Sequence, residues 1–113
     1  MIMSSGERIP LAQKLEFGRI YVIIHEIAPV TTWDGKTQYR VAFHVTDYEA
    51  GKPIKTPVAH VFIDEPQVSP DEAKGLPPED VTKLWQQKFM QSLREKLEFQ
   101  IELYRRNRAV FTL

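Results

Sequence analysis

The sequence predicts an α+β domain in which a three-stranded antiparallel β-meander packs on one long C-terminal α-helix, with a place for a fourth strand from the C-terminal tail. Strand-like runs parted by turn signals fill residues 18–64, and residues 78–108 run on without Gly and with no Pro after Pro78. A Pro-rich connector, 65–77, joins the two regions. At 113 residues the chain is expected to be one domain, a size that buries about two-thirds of its unfolded surface. Residues 1–17 are expected to form a partly flexible N-terminal segment, and 109–113, an apolar tail, AVFTL, to dock on a sheet edge.

The first segment opens polar and continues into IPLAQKLEF, whose Ile9, Leu11, Leu15 and Phe17 suit an open side of the core; its conformation is not fixed by pattern. Gly18 marks the boundary. Arg19 to Val30, RIYVIIHEIAPV, is dense in β-branched and aromatic residues and apolar on both faces, as a central strand is. Asp34-Gly35 then signals a hairpin, because a type I′ turn needs positive φ at both central residues. Gln38 to Tyr48 alternates, with Tyr39, Val41, Phe43 and Val45 apolar and Gln38, Arg40, His44 and Thr46 polar, so one face meets the core and one meets water. Pro53 to Asp64 gives the third strand, and Pro57, lacking an N–H, places it at an edge or starts it only after Pro57. Within the connector, Ser69-Pro70-Asp71-Glu72 has the form of a capped helical turn ending at Gly75.

The long helix begins at Pro78 with Glu79 and Asp80 against the positive end of its dipole, and closes on Arg105, Arg106 and Arg108 at the negative end. At about 100° per residue its apolar side chains fall into two groups. Val81, Leu84, Trp85, Phe89, Phe99 and Leu103 form one; Met90, Leu93, Leu97, Ile101 and Tyr104 form the other. Trp85 and Phe89, one turn apart, are expected to face the sheet. A helix on a single sheet needs only a stripe of roughly 100°, so the second group implies a second packing partner. A homodimer or higher homo-oligomer is therefore expected, with Met90, Leu93, Leu97, Ile101, Tyr104 and the hairpin-tip Trp33 at its interface.

Lys plus Arg (15) equals Asp plus Glu (15), which argues against gripping duplex nucleic acid by charge alone. The charge is segregated, with the connector acidic and the helix and tail basic. No cysteine, no signal-peptide pattern and no long apolar run point to a soluble cytoplasmic protein without a membrane role. There is no Gly-rich phosphate loop, no Ser or Cys nucleophile context and no metalloprotease pattern, so no catalytic residue, cofactor or small-molecule substrate is nominated. His25 and His44 are a pair where a metal site wants three or four ligands, and no metal is expected.

A two-residue turn at Asp34-Gly35 sets Tyr21 opposite Tyr48, Ile23 opposite Thr46, His25 opposite His44 and Pro29 opposite Arg40. It also turns Ile24, Ala28 and Val30 to the core, and gathers Tyr21, His25, Arg40, His44 and Tyr48 on the face away from the helix. A three-residue loop with a bulge shifts the pairing by one and dissolves that cluster. Aromatic rings and Arg on an open sheet suit single-stranded DNA or RNA, because every base offers a π-face and Arg meets phosphate. Arg105, Arg106 and Arg108 are expected to add to that surface. The reading drawn is a small non-enzymatic homo-oligomeric module binding single-stranded nucleic acid; the alternative is a protein-interaction or structural assembly subunit.

Overall fold

The structure, a computed structural model, describes residues 14–49 and 51–106. Among them stand β1 (Lys14–Phe17), β2 (Ile20–Thr31), β3 (Thr37–Glu49), β4 (Lys52–Lys55), β5 (Ala59–Asp64), α1 (Pro70–Ala73) and α2 (Pro78–Arg106). The strands form one antiparallel sheet in the order β1-β2-β3, with β4 and β5 following each other along the outer edge of β3. The α+β architecture is as the sequence predicts. The extra strand beside the meander comes from the N-terminal side: β1 pairs with β2 through the two-residue turn Gly18-Arg19, where Gly18 takes φ +65°. The expected docking of 109–113, like Arg108, lies outside the described residues.

The third strand is divided. Thr56, Pro57 and Val58 interrupt it, because Pro57 has no N–H to offer the ladder. Thr56 keeps the break attached to β3: its backbone N–H donates to the Val45 carbonyl at 3.0 Å, and its hydroxyl accepts from the Val45 N–H at 2.9 Å.

The core lies between one face of the sheet and α2. Ile20, Val22, Tyr39, Val41, Phe43, Val45, Val61 and Ile63 from the strands meet Trp85, Phe89, Leu93, Leu97, Ile101 and Tyr104 from the helix. Each such side chain contributes on the order of 1.5–3 kcal/mol by leaving water. Trp85 and Phe89 stack at 5.5 Å, and both meet the Tyr39 ring edge to face.

This burial corrects the expected oligomer interface. Leu93, Leu97, Ile101 and Tyr104 are buried against the sheet, and Met90 is partly buried against the same core. The physical reason is the spacing of the buried positions. From Trp85 to Ile101 they recur every fourth residue, and each step of four advances about 40° round an α-helix, so the stripe winds through roughly 160°. A twisted sheet follows such a stripe. The two apolar groups are thus successive parts of one contact, and Phe99, on the side the stripe has left behind, is exposed.

Polar contacts fix the helix ends and the connector. α1 is the capped turn expected at Ser69, and its cap is a capping box, with Ser69 and Glu72 each accepting the other's N–H at 3.1 Å. Lys88 reaches from α2 to Glu72 and to the Gln67 carbonyl, and the hydrogen bond from Lys88 holds the Glu72 carboxyl below the usual glutamate range. At the far end the Tyr104 hydroxyl donates to Asp47 Oδ2 at 3.2 Å, while Arg19 Nε lies 3.2 Å from Oδ1 of the same buried carboxylate. Arg94 covers the Phe17 ring and donates to the Glu16 carbonyl, binding β1 to the helix. No helix among the described residues is long and apolar enough to cross a membrane.

Candidate functional site

The face of the sheet away from α2 is set by the β2–β3 register, and that register differs from the expected one. Thr32 and Lys36 close a three-residue turn, Trp33-Asp34-Gly35. The Gly35 N–H donates to the Thr32 carbonyl, and Gly35 takes the φ of +82° that a left-handed closing position requires. Thr32 also hydrogen-bonds Asp34 through its hydroxyl. Pairing therefore begins one residue away from the two-residue prediction, with Ala28 opposite Arg40 and Val30 opposite Gln38. These two side chains stand on the open face, whereas Ile27 packs on the core, a correction to the expected placing of Ala28 and Val30.

A second irregularity restores the cluster that this shift alone would dissolve. Between Ile24 and Glu26 the ladder slips by one more residue, leaving His25 as the bulge, and from there Ile23 faces His44 and Tyr21 faces Thr46. Two slips of one residue return side chains to their original face, because the side-chain period of a strand is two. Tyr21, His25, Arg40, His44 and Tyr48 thus share the open face, although the pairs Tyr21 with Tyr48, His25 with His44 and Pro29 with Arg40 are not the Cα partners.

The face has two parts. Toward the β1 and β4 end, Tyr21 and Tyr48 meet edge to face at 5.5 Å, and Lys14 Nζ stands 4.6 Å over the Tyr21 ring. Lys14, Arg19, Tyr21, Ile23 and Tyr48 line an open depression of about 300 Å³. Tyr48 is 50% exposed, and Lys55 lies across the ladder opposite Thr46. At the β5 end Arg40 stands opposite Phe62, with Asp64 held to Gln38 by a hydrogen bond of 2.8 Å.

His25 and His44 join the two parts. His25 Nε2 and His44 Nδ1 are 2.6 Å apart, so one ring donates to the lone pair of the other and at least one is neutral. Partial burial, then the charge of His25, then that of Lys55, all lower the His44 pKa from its ordinary value. No group of three or more His, Asp and Glu side chains among the described residues is placed to hold a metal ion.

Arg105 and Arg106 are not brought to this face. They end α2 on the opposite side of the sheet and pair with Glu102 at 3.9 Å and 3.7 Å. Trp33, expected at the oligomer interface, projects from the hairpin tip 98% exposed. Sequence reading missed Lys14, Arg19, Lys55 and Phe62. The alternation of Lys52-Pro53-Ile54-Lys55 was a usable signal for Lys55, and that of His60-Val61-Phe62-Ile63-Asp64 for Phe62. Lys14 had none, since nothing in 1–17 fixed the register of β1. Comparison of the chain with protein-family models, with curated proteins and with solved structures finds no match.

Proposed function

We propose that the chain is a small non-enzymatic homo-oligomeric module that binds single-stranded nucleic acid on the open face of its sheet. The observation that carries this reading is the Tyr21 and Tyr48 pair, half-open to water and bordered by Lys14, Arg19 and Lys55. Aromatic rings supply surfaces on which bases stack irrespective of sequence, and the bordering cations meet the phosphates between them. Arg40 beside Phe62 repeats the pairing at the far end of the face. A neutral chain suits a ligand held by stacking more than one held by charge.

The test is fluorescence anisotropy of labelled single-stranded and duplex oligonucleotides at two salt concentrations. Single strands bind in preference, and neutralising about three phosphates gives a slope of log affinity against log salt near −2. Absence of binding at low salt, or binding indifferent to salt, removes this reading. The alternative of a protein-interaction subunit is favoured by one observation, the exposed Trp33 at the hairpin tip.

A further inference from the structure

We infer that two copies of this chain join edge to edge through β5, antiparallel about a twofold axis at Phe62, so that two sheets become one. The inference starts from a contrast along the outer side of β3. β4 guards its own edge with Lys52, Pro53 and Lys55, residue types that oppose the addition of another strand. β5, AHVFID, carries neither Lys nor Pro, and among the described residues it pairs with β3 alone.

Its hydrogen-bonding groups are turned outward at defined positions. The Glu65 N–H donates to the Thr37 carbonyl at 3.3 Å, continuing the ladder in which Gln38 faces Asp64 and Arg40 faces Phe62. Antiparallel pairs alternate between those that exchange hydrogen bonds and those that do not. His60, Phe62 and Asp64 are consequently the residues whose N–H and C=O point away from β3, toward whatever lies beside β5.

The side chains of the same three residues are complementary to their own copy. With Phe62 opposite Phe62 of a second copy, His60 falls opposite Asp64 of that copy and Asp64 opposite its His60, while Val61 meets Ile63 on the core side. Outward-facing backbone pairs with outward-facing backbone in this register, as a ladder requires. Asp64 is already oriented by its hydrogen bond from Gln38. An isologous contact of this kind closes after two subunits and leaves no further edge to propagate at β5.

The surroundings of the edge also fit this occupant. A groove of about 560 Å³ runs between β5 and α2, with Phe62 47% exposed and Phe99 63% exposed along it. A second β5 laid along the edge covers Phe62 and narrows the exposure of Phe99. The joined sheet doubles the open face, but the pairing does not depend on what that face binds.

Sedimentation equilibrium of the full chain across the micromolar range tests the inference, with the 13.2 kDa chain expected at twice its mass. Phe62→Pro removes an N–H that β3 does not use, and His60→Glu sets two carboxylates against each other. Both variants are expected to sediment as monomers with unchanged circular dichroism, and His60→Glu with Asp64→Lys to regain the dimer. A wild-type chain that stays monomeric overturns the proposal, as does a dimer that survives both Phe62→Pro and His60→Glu. A dimer that survives them but is lost when residues 107–113 are removed overturns it in favour of the tail as the partner segment.

Discussion

The two faces of β3 use alternate residues of one strand for opposite purposes. Tyr39, Val41, Phe43 and Val45 are all buried under α2, while Gln38, Arg40, His44 and Tyr48 reach the other side, where only the small Ala42 and Thr46 are covered. On the first face the neighbours are apolar and close-packed apart from the buried Asp47 at one end, so volume decides what is tolerated along most of it. On the second, rings and charges meet in pairs at a surface open to solvent, so a substitution there changes what the surface can bind more than whether the chain folds. The comparison predicts that stability and binding separate cleanly by residue parity along the strand.

The strongest challenge to it is a truncation on the helix side. Phe89 is fully buried between Trp85 and Tyr39, and Phe89→Ala is expected to cost about 3–5 kcal/mol in chemical denaturation, by lost transfer energy and the cavity left behind. Leu97→Glu and Ile101→Glu belong with it: a carboxylate at either buried site unfolds the monomer, so neither variant reports on assembly. On the open face, Tyr48→Ala is expected to leave the denaturation midpoint nearly unmoved while weakening single-strand binding by about 1–3 kcal/mol. A Tyr48→Ala protein that binds as tightly as the parent removes the open face from the ligand's path. Between the two classes lies Tyr104→Phe, which keeps the ring in the core and deletes the hydrogen bond to Asp47, at an expected cost of about 1 kcal/mol with no change in binding.

Much of this division was legible because alternation and helical continuity are local signals. The odd-numbered apolar set of β3, the turn of Trp85 and Phe89 toward the sheet, the capped turn at Ser69 and the start of α2 all follow from residues a few positions apart. The two-sided apolarity of the helix was legible too, but its meaning was not, since a winding contact and a second partner give the same pattern on a helical projection. Register was the other limit. Asp34-Gly35 announces a hairpin without fixing whether two or three residues turn it, and nothing in IHEIA marks His25 as a bulge. The cluster of Tyr21, His25, His44 and Tyr48 was reached through a wrong pairing, because two separate slips of one residue restore the face that either slip alone would reverse.

The bulge also supplies the finest test of how independent the open face is. It places His25 Nε2 within 2.6 Å of His44 Nδ1, an arrangement that survives only while one ring keeps a lone pair. Burial, His25 and Lys55 all disfavour the charged form of His44 in the folded chain, so its pKa there lies below that in the unfolded chain. Between the unfolded value, about 6.5, and the lower folded one, the unfolded chain holds more protons, and stability falls as pH falls through that window. Above it both states are neutral and His44 contributes no slope. Denaturation midpoints measured from pH 8 to pH 5 are expected to decline below about pH 6.5 in the parent and to decline less in His44→Gln. Equal declines would show that the carboxylates elsewhere carry the whole effect. Binding runs the other way, since a protonated His44 adds a cation beside Tyr21 and Lys55. The same proton that weakens the fold is therefore expected to strengthen the hold on phosphate, and the open face is thus not wholly separate from stability at His44.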